Sequence, residues 1–170
     1  MRPLTQPALP EESPLGHREQ LVTIRIGAEE FALPVGQARE IVPYRRVTRV
    51  PGAAYQFAGV MNLRGDVIPV VEPKRRMGVP EREPDEETCI IVLDAGDHDI
   101  GLMVDAVREV VAIDPDCVQP PAGAMAEVPY LVGVVELADR LVGVVDPEAM
   151  IQPSGVPASD ADGSTARESP

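Results

Sequence analysis

Apolar residues along this chain come in short runs separated by turn formers. Leu21-Val22-Thr23-Ile24-Arg25-Ile26 alternates in part, and Phe31 to Val35 follows after Gly27-Ala28-Glu29-Glu30, which predicts a hairpin. Similar runs predict strands at Thr48–Val50, Phe57–Leu63, Val67–Val71, Thr88–Leu93, Ile100–Val104, Glu109–Ile113, Leu131–Leu137 and Leu141–Val145. Gln37–Val42 reads as a short helix. Each run is bounded by Gly, Pro or charge, which suits small barrels or a sandwich, and Val and Ile, stiff at χ1, favour strands. The expectation is a mainly β protein with short helices.

The pattern also repeats. Phe31-Ala-Leu-Pro-Val-Gly-Gln-Ala-Arg-Glu-Ile-Val42 aligns without a gap on Ile100-Gly-Leu-Met-Val-Asp-Ala-Val-Arg-Glu-Val-Val111. Leu33, Arg39 and Glu40 thereby meet Leu102, Arg108 and Glu109. The match resumes with Gly59-Val60 on Gly133-Val134, Leu63 on Leu137, and Val70-Val71-Glu72-Pro73 on Val144-Val145-Asp146-Pro147. Two copies with so long a period exclude a solenoid. They predict two subdomains related by a pseudo-twofold axis, with repeat halves at about 21–79 and 88–151 and a groove between them. Residues 1–19, rich in Pro, read as a disordered arm, and 152–170 as a disordered tail.

Charge changes the picture in one place. The net charge of −13 argues against nucleic acid as a partner. Between Gly36 and Arg76, however, eight basic residues face three acidic ones, a local excess of +5. That segment is either a solvated mixed surface or a docking patch for an acidic partner.

Chemistry is sparse. No phosphate loop, dinucleotide fingerprint, zinc-protease motif or nucleophile elbow occurs, so no catalytic residue, cofactor or metal is expected. Asp94-Ala-Gly-Asp-His-Asp99 lacks the Gly and the distal Glu of a calcium loop and reads as a turn with Gly96 at positive φ. The acidic run Glu81–Glu87, with Pro80 and Pro84 beside it, reads as a solvated linker. Cys89 and Cys117 read as buried or half-buried free thiols. The first twenty residues contain no apolar core of a signal peptide, and the run Tyr130–Ile151 is broken by five charged residues. A cytoplasmic, soluble protein without membrane insertion is expected. In Asn62-Leu63-Arg64-Gly65-Asp66 a polar turn joins two apolar runs, with Gly65 at positive φ and Arg64 and Asp66 turned to water.

That last segment, Gly59-Val-Met-Asn-Leu-Arg-Gly65 followed by Val67-Ile-Pro-Val-Val71, resembles the signature of the CheW family of coupling proteins. Glu30-Phe-Ala-Leu-Pro-Val35, Val47-Thr-Arg-Val-Pro51, Gly101-Leu-Met-Val-Asp105 and Tyr130-Leu-Val-Gly133 continue the resemblance, which covers about Leu21 to Ile151. It departs at Pro34, Ala38 and Pro73. It implies two intertwined, five-stranded SH3-like barrels and a non-catalytic adaptor joining chemoreceptors to a CheA-type histidine kinase in chemotaxis. It further implies two surfaces. The receptor's cytoplasmic tip would meet Asn62, Leu63, Arg64 and Gly65, with Glu40 at the edge. The kinase's regulatory domain would meet Val22, Val35 and Ala38. A chain with no kinase or receiver segment would be a free-standing adaptor, recruited through receptor arrays to the inner membrane face. Two rivals remain: an adaptor of a non-chemotactic pathway such as surface motility, and a small β-barrel enzyme or ligand carrier with convergent polar groups in a closed pocket.

Overall fold

The structure, a computed structural model, describes residues 18–152. Ten strands and two short helices follow in chain order: β1 (Glu19–Ile26), β2 (Glu29–Pro34), β3 (Ala38–Pro43), β4 (Phe57–Leu63), β5 (Asp66–Val71), α1 (Pro73–Met77), β6 (Cys89–Asp94), β7 (Asp99–Val104), β8 (Ala106–Ile113), β9 (Leu131–Leu137), β10 (Arg140–Val145) and α2 (Pro147–Ile151). The mainly β expectation holds.

Two predicted elements do not. Gln37–Val42 is not a helix: a single 3-10 turn at Val35–Gln37 runs straight into β3, which pairs with β6. Its apolar spacing could serve either period, and a free ladder on β6 decides for the strand. Thr48–Val50 forms one bridge, Thr48 to Val60, and no strand. The 1–19 arm and the 152–170 tail lie outside the described residues, except that Glu19 opens β1 and Gln152 follows α2.

The strands form two five-stranded sheets, ordered β8-β1-β2-β10-β9 and β3-β6-β7-β5-β4. Exchanging each strand for its repeat equivalent (β1 for β6, β2 for β7, and so on) converts one order into the other. The register repeats as well: Val144 pairs with Ala32 across the parallel β10–β2 contact, and Val70 with Gly101 across β5–β7. The two sequence halves are therefore not the two barrels. Each half lends its first hairpin to the sheet built from the other half's last three strands, which is the intertwined arrangement.

This exchange explains the core. One cluster lies among β4, β5, β6 and β7, including Met61, Ile68, Ile90 and Val92, and a second among β1, β2, β9 and β10, including Leu21, Ala32, Val135 and Val142. The third and largest is shared by both sheets and contains Leu33 and Leu102, both fully buried, with Val22, Ile24, Val71, Ile91, Val145 and Met150. Shared apolar packing thus occupies the region between the repeats where the sequence suggested a groove. Arg39-Glu40 and Arg108-Glu109 fall on the equivalent strands β3 and β8.

A polar pin crosses the same junction. Asp105, between β7 and β8, accepts from Lys74 Nζ at 2.6 Å and from the Gly27 amide at 2.6 Å, while its own amide donates to the Arg25 carbonyl at 2.9 Å. Next to it, at the entry to α1, Glu72 is 7% exposed. Burial pushes its carboxyl up to about 7, against the pull of Lys74. The sign of the consequence follows from linkage. Between the ordinary carboxylate range and about 7 the folded chain holds a proton that the unfolded chain has lost, so stability rises as pH falls through that window. Urea midpoints should therefore increase from pH 8 toward pH 6 in the native chain, and Glu72→Gln should flatten that slope. An identical slope in both proteins would assign the effect to another group.

Candidate functional site

The β4–β5 hairpin ends in a two-residue turn, Arg64-Gly65, with φ of 53° and 92°. Both residues are in the left-handed region, as a tight hairpin requires. Arg64 is an uncommon occupant, and two contacts hold it there. Asn62 Oδ1 accepts from the Gly65 amide at 3.1 Å, closing the turn from below. Arg64 Nη1 donates to Glu40 Oε1 at 2.9 Å and Nη2 donates to Glu40 Oε2, a fork-to-fork pair. The guanidinium's hydrogen bonds hold the Glu40 carboxyl below its ordinary range, and the carboxylate raises the arginine in turn. The pair joins β3 to the β4–β5 hairpin, so the two ends of that sheet curl toward each other.

The arginine is thus presented rather than loose: 66% of its side chain is exposed while its fork is oriented by Glu40. Leu63 behaves differently. It is 6% exposed and belongs to the core cluster with Met61 and Ile68, so the partner-facing role expected of it is corrected to an anchoring one. Strand alternation is the reason, since Asn62 and Leu63 must face opposite sides. Asn62, Arg64, Gly65 and Asp66 are all exposed.

Residues 20–154 match the CheW-like domain. This chain belongs to the CheW family. It is 30% identical over 135 residues to the Bacillus subtilis chemotaxis protein CheW, covering 78% of this chain and 86% of that protein. A Pseudomonas aeruginosa protein named PilI is 26% identical over 136 residues, covering 79% and 76%. The crystal structure of the scaffolding protein CheW from Thermoanaerobacter tengcongensis has the same fold, with a TM-score of 0.74 at 24% identity over 89% of this chain and 94% of that one.

In this CheW-like chain the residues expected at the kinase surface separate. Val22 is 1% exposed inside the shared core and offers no side-chain surface to a partner. It stands on β1 between two hydrogen-bonded neighbours, β8 and β2, which sequence alternation did not reveal. Val35, which opens the 3-10 turn, and Ala38, which follows it, are half-buried and pack their inner sides on that core. Ala38 shares the edge strand β3 with Glu40, and Val35 lies in the turn that leads into it, so the two expected surfaces adjoin.

The repeat contains a second guanidinium pair that residue patterns alone did not point to. Arg140, just after the β9–β10 turn, donates to Glu30 at 2.6 and 3.1 Å and to Glu109 at 3.2 Å. Glu109 is the repeat equivalent of Glu40. The matched glutamates were the available signal: each binds an arginine at the hairpin that follows. The arginines differ in position, Arg64 inside its turn and Arg140 one step beyond.

Other expectations resolve simply. Gly96 has φ of 101° in the β6–β7 turn, and residues 81–87 are exposed throughout. Cys89 is half-buried, but Cys117 is exposed, because it ends a 3-10 turn outside the sheets rather than lying in a strand. No helix among the described residues is long and apolar enough to cross a membrane.

Proposed function

We propose that this CheW-like chain is a cytoplasmic adaptor that couples the cytoplasmic tip of a chemoreceptor to the regulatory domain of a CheA-type histidine kinase. The observation that carries the proposal is the Arg64 turn: an exposed guanidinium on a short backbone loop, oriented by Glu40 and backed by Asn62. A helical hairpin tip offers carboxylates and helix-end carbonyls, which an arginine fork recognises better than a lysine point charge. Glu40 then acts by positioning, keeping the fork aimed before the partner arrives and lowering the entropy lost on contact. Kinase contact is assigned to the adjoining Val35 and Ala38, whose half-exposed apolar surface a charge would spoil. With one partner at Val35 and Ala38 and the other at Arg64, which Glu40 ties to β3, a displacement of one is passed to the other through a single stiff sheet. Recruitment to the inner membrane face follows from receptor binding alone.

The test is separation of the two contacts. Arg64→Ala should weaken binding to receptor-containing membranes by roughly tenfold or more, the scale of a centrally placed arginine, while kinase binding and Tm stay near wild type. Arg64→Lys should recover part of the loss. Val35→Asp should do the converse, removing the kinase and sparing the receptor. Equal loss of both partners in Arg64→Ala, or a large fall in Tm, would make Arg64 a structural residue. An adaptor for a non-chemotactic pathway is the second reading, favoured by the similarity to PilI, which carries no chemotaxis name. Identifying the receptor and kinase that co-purify from the native cell separates the two.

A further inference from the structure

Arg45, Arg46 and Arg49 stand in the loop between β3 and β4, and all three are exposed. Among the described residues Arg25, Arg39, Arg64, Arg75, Arg82 and Arg140 each have a carboxylate partner; none of the three loop arginines has one. Arg18, Arg76 and Arg108 also lack a carboxylate partner, but they stand apart along the chain, whereas the three loop arginines lie together within residues 45–49. Arg45 donates only to a backbone carbonyl, that of Asn62, at 3.2 Å, which places it against the Arg64 hairpin. Arg45 and Arg46 rim an open groove of about 480 Å³, also lined by Thr48, Val60, Met61, Asn62 and Val67. Its floor is largely apolar, and Val67 on it is 66% exposed.

The second repeat supplies the control. There the loop between β8 and β9 makes the same bridge, Gln119 to Val134 in place of Thr48 to Val60. Yet residues 114–130 carry Asp114, Asp116 and Glu127 and no basic residue. The bridge and the hairpin therefore do not require arginines, and the two equivalent edges have opposite charge.

We propose that the groove rimmed by Arg45 and Arg46 is a docking surface for an acidic amphipathic helix, whose apolar ridge covers Val60 and Val67 while its carboxylates meet the two guanidiniums. Resting on the reading of Arg64 given above, it identifies the occupant as an acidic helical flank of the receptor tip, continuous with the Arg64 contact. The charge balance selects this partner. A nucleic acid would meet only a few arginines on a chain of net charge −13. A second copy could offer its acidic 114–130 edge, but two such chains repel at long range. A helix with a few carboxylates needs only the local field, which also steers its approach.

The test uses the full chain with Arg45→Glu/Arg46→Glu, titrated against a purified chemoreceptor cytoplasmic hairpin fragment and against the CheA-type regulatory domain, at low and at physiological salt. Expected is a loss of tenfold or more for the receptor fragment at low salt, a smaller loss at physiological salt, and unchanged kinase binding. Arg45→Lys/Arg46→Lys should bind nearly as well as wild type, because the groove uses charge rather than a fork. Unchanged receptor affinity in the charge-reversed variant, with Arg64→Ala still weakened, overturns the groove and leaves the Arg64 reading standing. Weakening by charge reversal with Arg64→Ala unaffected does the opposite: it keeps the groove and removes Arg64 from the contact. Self-association of the wild type that charge reversal abolishes, without any effect on the receptor fragment, gives the groove to a second copy and overturns the proposal.

Discussion

Lys74→Ala should destabilise the folded chain by about 3–5 kcal/mol, the scale for removing one member of a buried ion pair. The Lys74 side chain is 3% exposed and that of Asp105 is 11%, with 2.6 Å between Nζ and Oδ1. Deleting the ammonium leaves Asp105 beside the Gly27 amide and a buried Glu72, with no positive charge to offset either carboxyl. The aspartate joins β7 and β8 to the β1–β2 turn, and Lys74 brings α1 to the same point, so the loss acts on the junction of the barrels. Urea denaturation of Lys74→Ala and of Lys74→Met/Asp105→Leu measures it. The double variant should recover much of the stability, because an apolar pair avoids the desolvation of two charges. A single variant within about 0.5 kcal/mol of wild type, the range of ordinary surface changes, would mean that water reaches the pair freely.

Gly59→Ala is the second large effect, expected at about 2–4 kcal/mol from combined clash and backbone strain. Gly59 has φ of 150°, and a Cβ there would lie 2.1 Å from the Thr48 carbonyl oxygen. That oxygen accepts from Val60 N at 2.8 Å, and Thr48 N donates back to Val60 O at 2.8 Å. Neither backbone can retreat without breaking this bridge, which also holds the Arg45–Arg49 loop against the hairpin. Gly65→Ala is the control: its φ is 92°, but a Cβ there meets nothing within 4 Å. It should cost only the strain of one left-handed residue, roughly 1 kcal/mol. Thermal melts of both variants compare the two. A Gly59→Ala protein no less stable than Gly65→Ala would show that the loop, not the glycine, gives way.

The same glycine shows what kind of information a repeat carries. Gly59-Val60 and Gly133-Val134 matched in the sequence without any local reason. In the structure both valines bridge to a loop crossing above them, and both glycines face that loop's backbone, Thr48 in one repeat and Gln119 in the other. Arg39-Glu40 and Arg108-Glu109 were similarly legible as a pair and obscure as to purpose, because their partners are far away along the chain. Glu40 meets Arg64, and Glu109 meets Arg140. Val22 and Gln37–Val42 were misread for a related reason. Burial on both faces, or a free neighbouring strand, is set by elements distant in sequence, while alternation reports only one face at a time.

The amino-acid sequence by itself determined the strand-rich character, most strand positions, the twofold repeat, the Arg64-Gly65 turn and, through the shared segments, the CheW family. These are local or self-referential properties: β-branched runs, glycine at positive φ and one half compared with the other. Only the tertiary structure decided which half's hairpin completes which barrel, which expected site residues face water, and that the Arg64 fork is aimed by Glu40. It also decided that Lys74 is buried against Asp105 while Arg45 and Arg46 are left without carboxylates. Charge and exposure at these places depend on what the fold brings within a few ångströms, and pairings between distant segments leave little trace in the local pattern of either one.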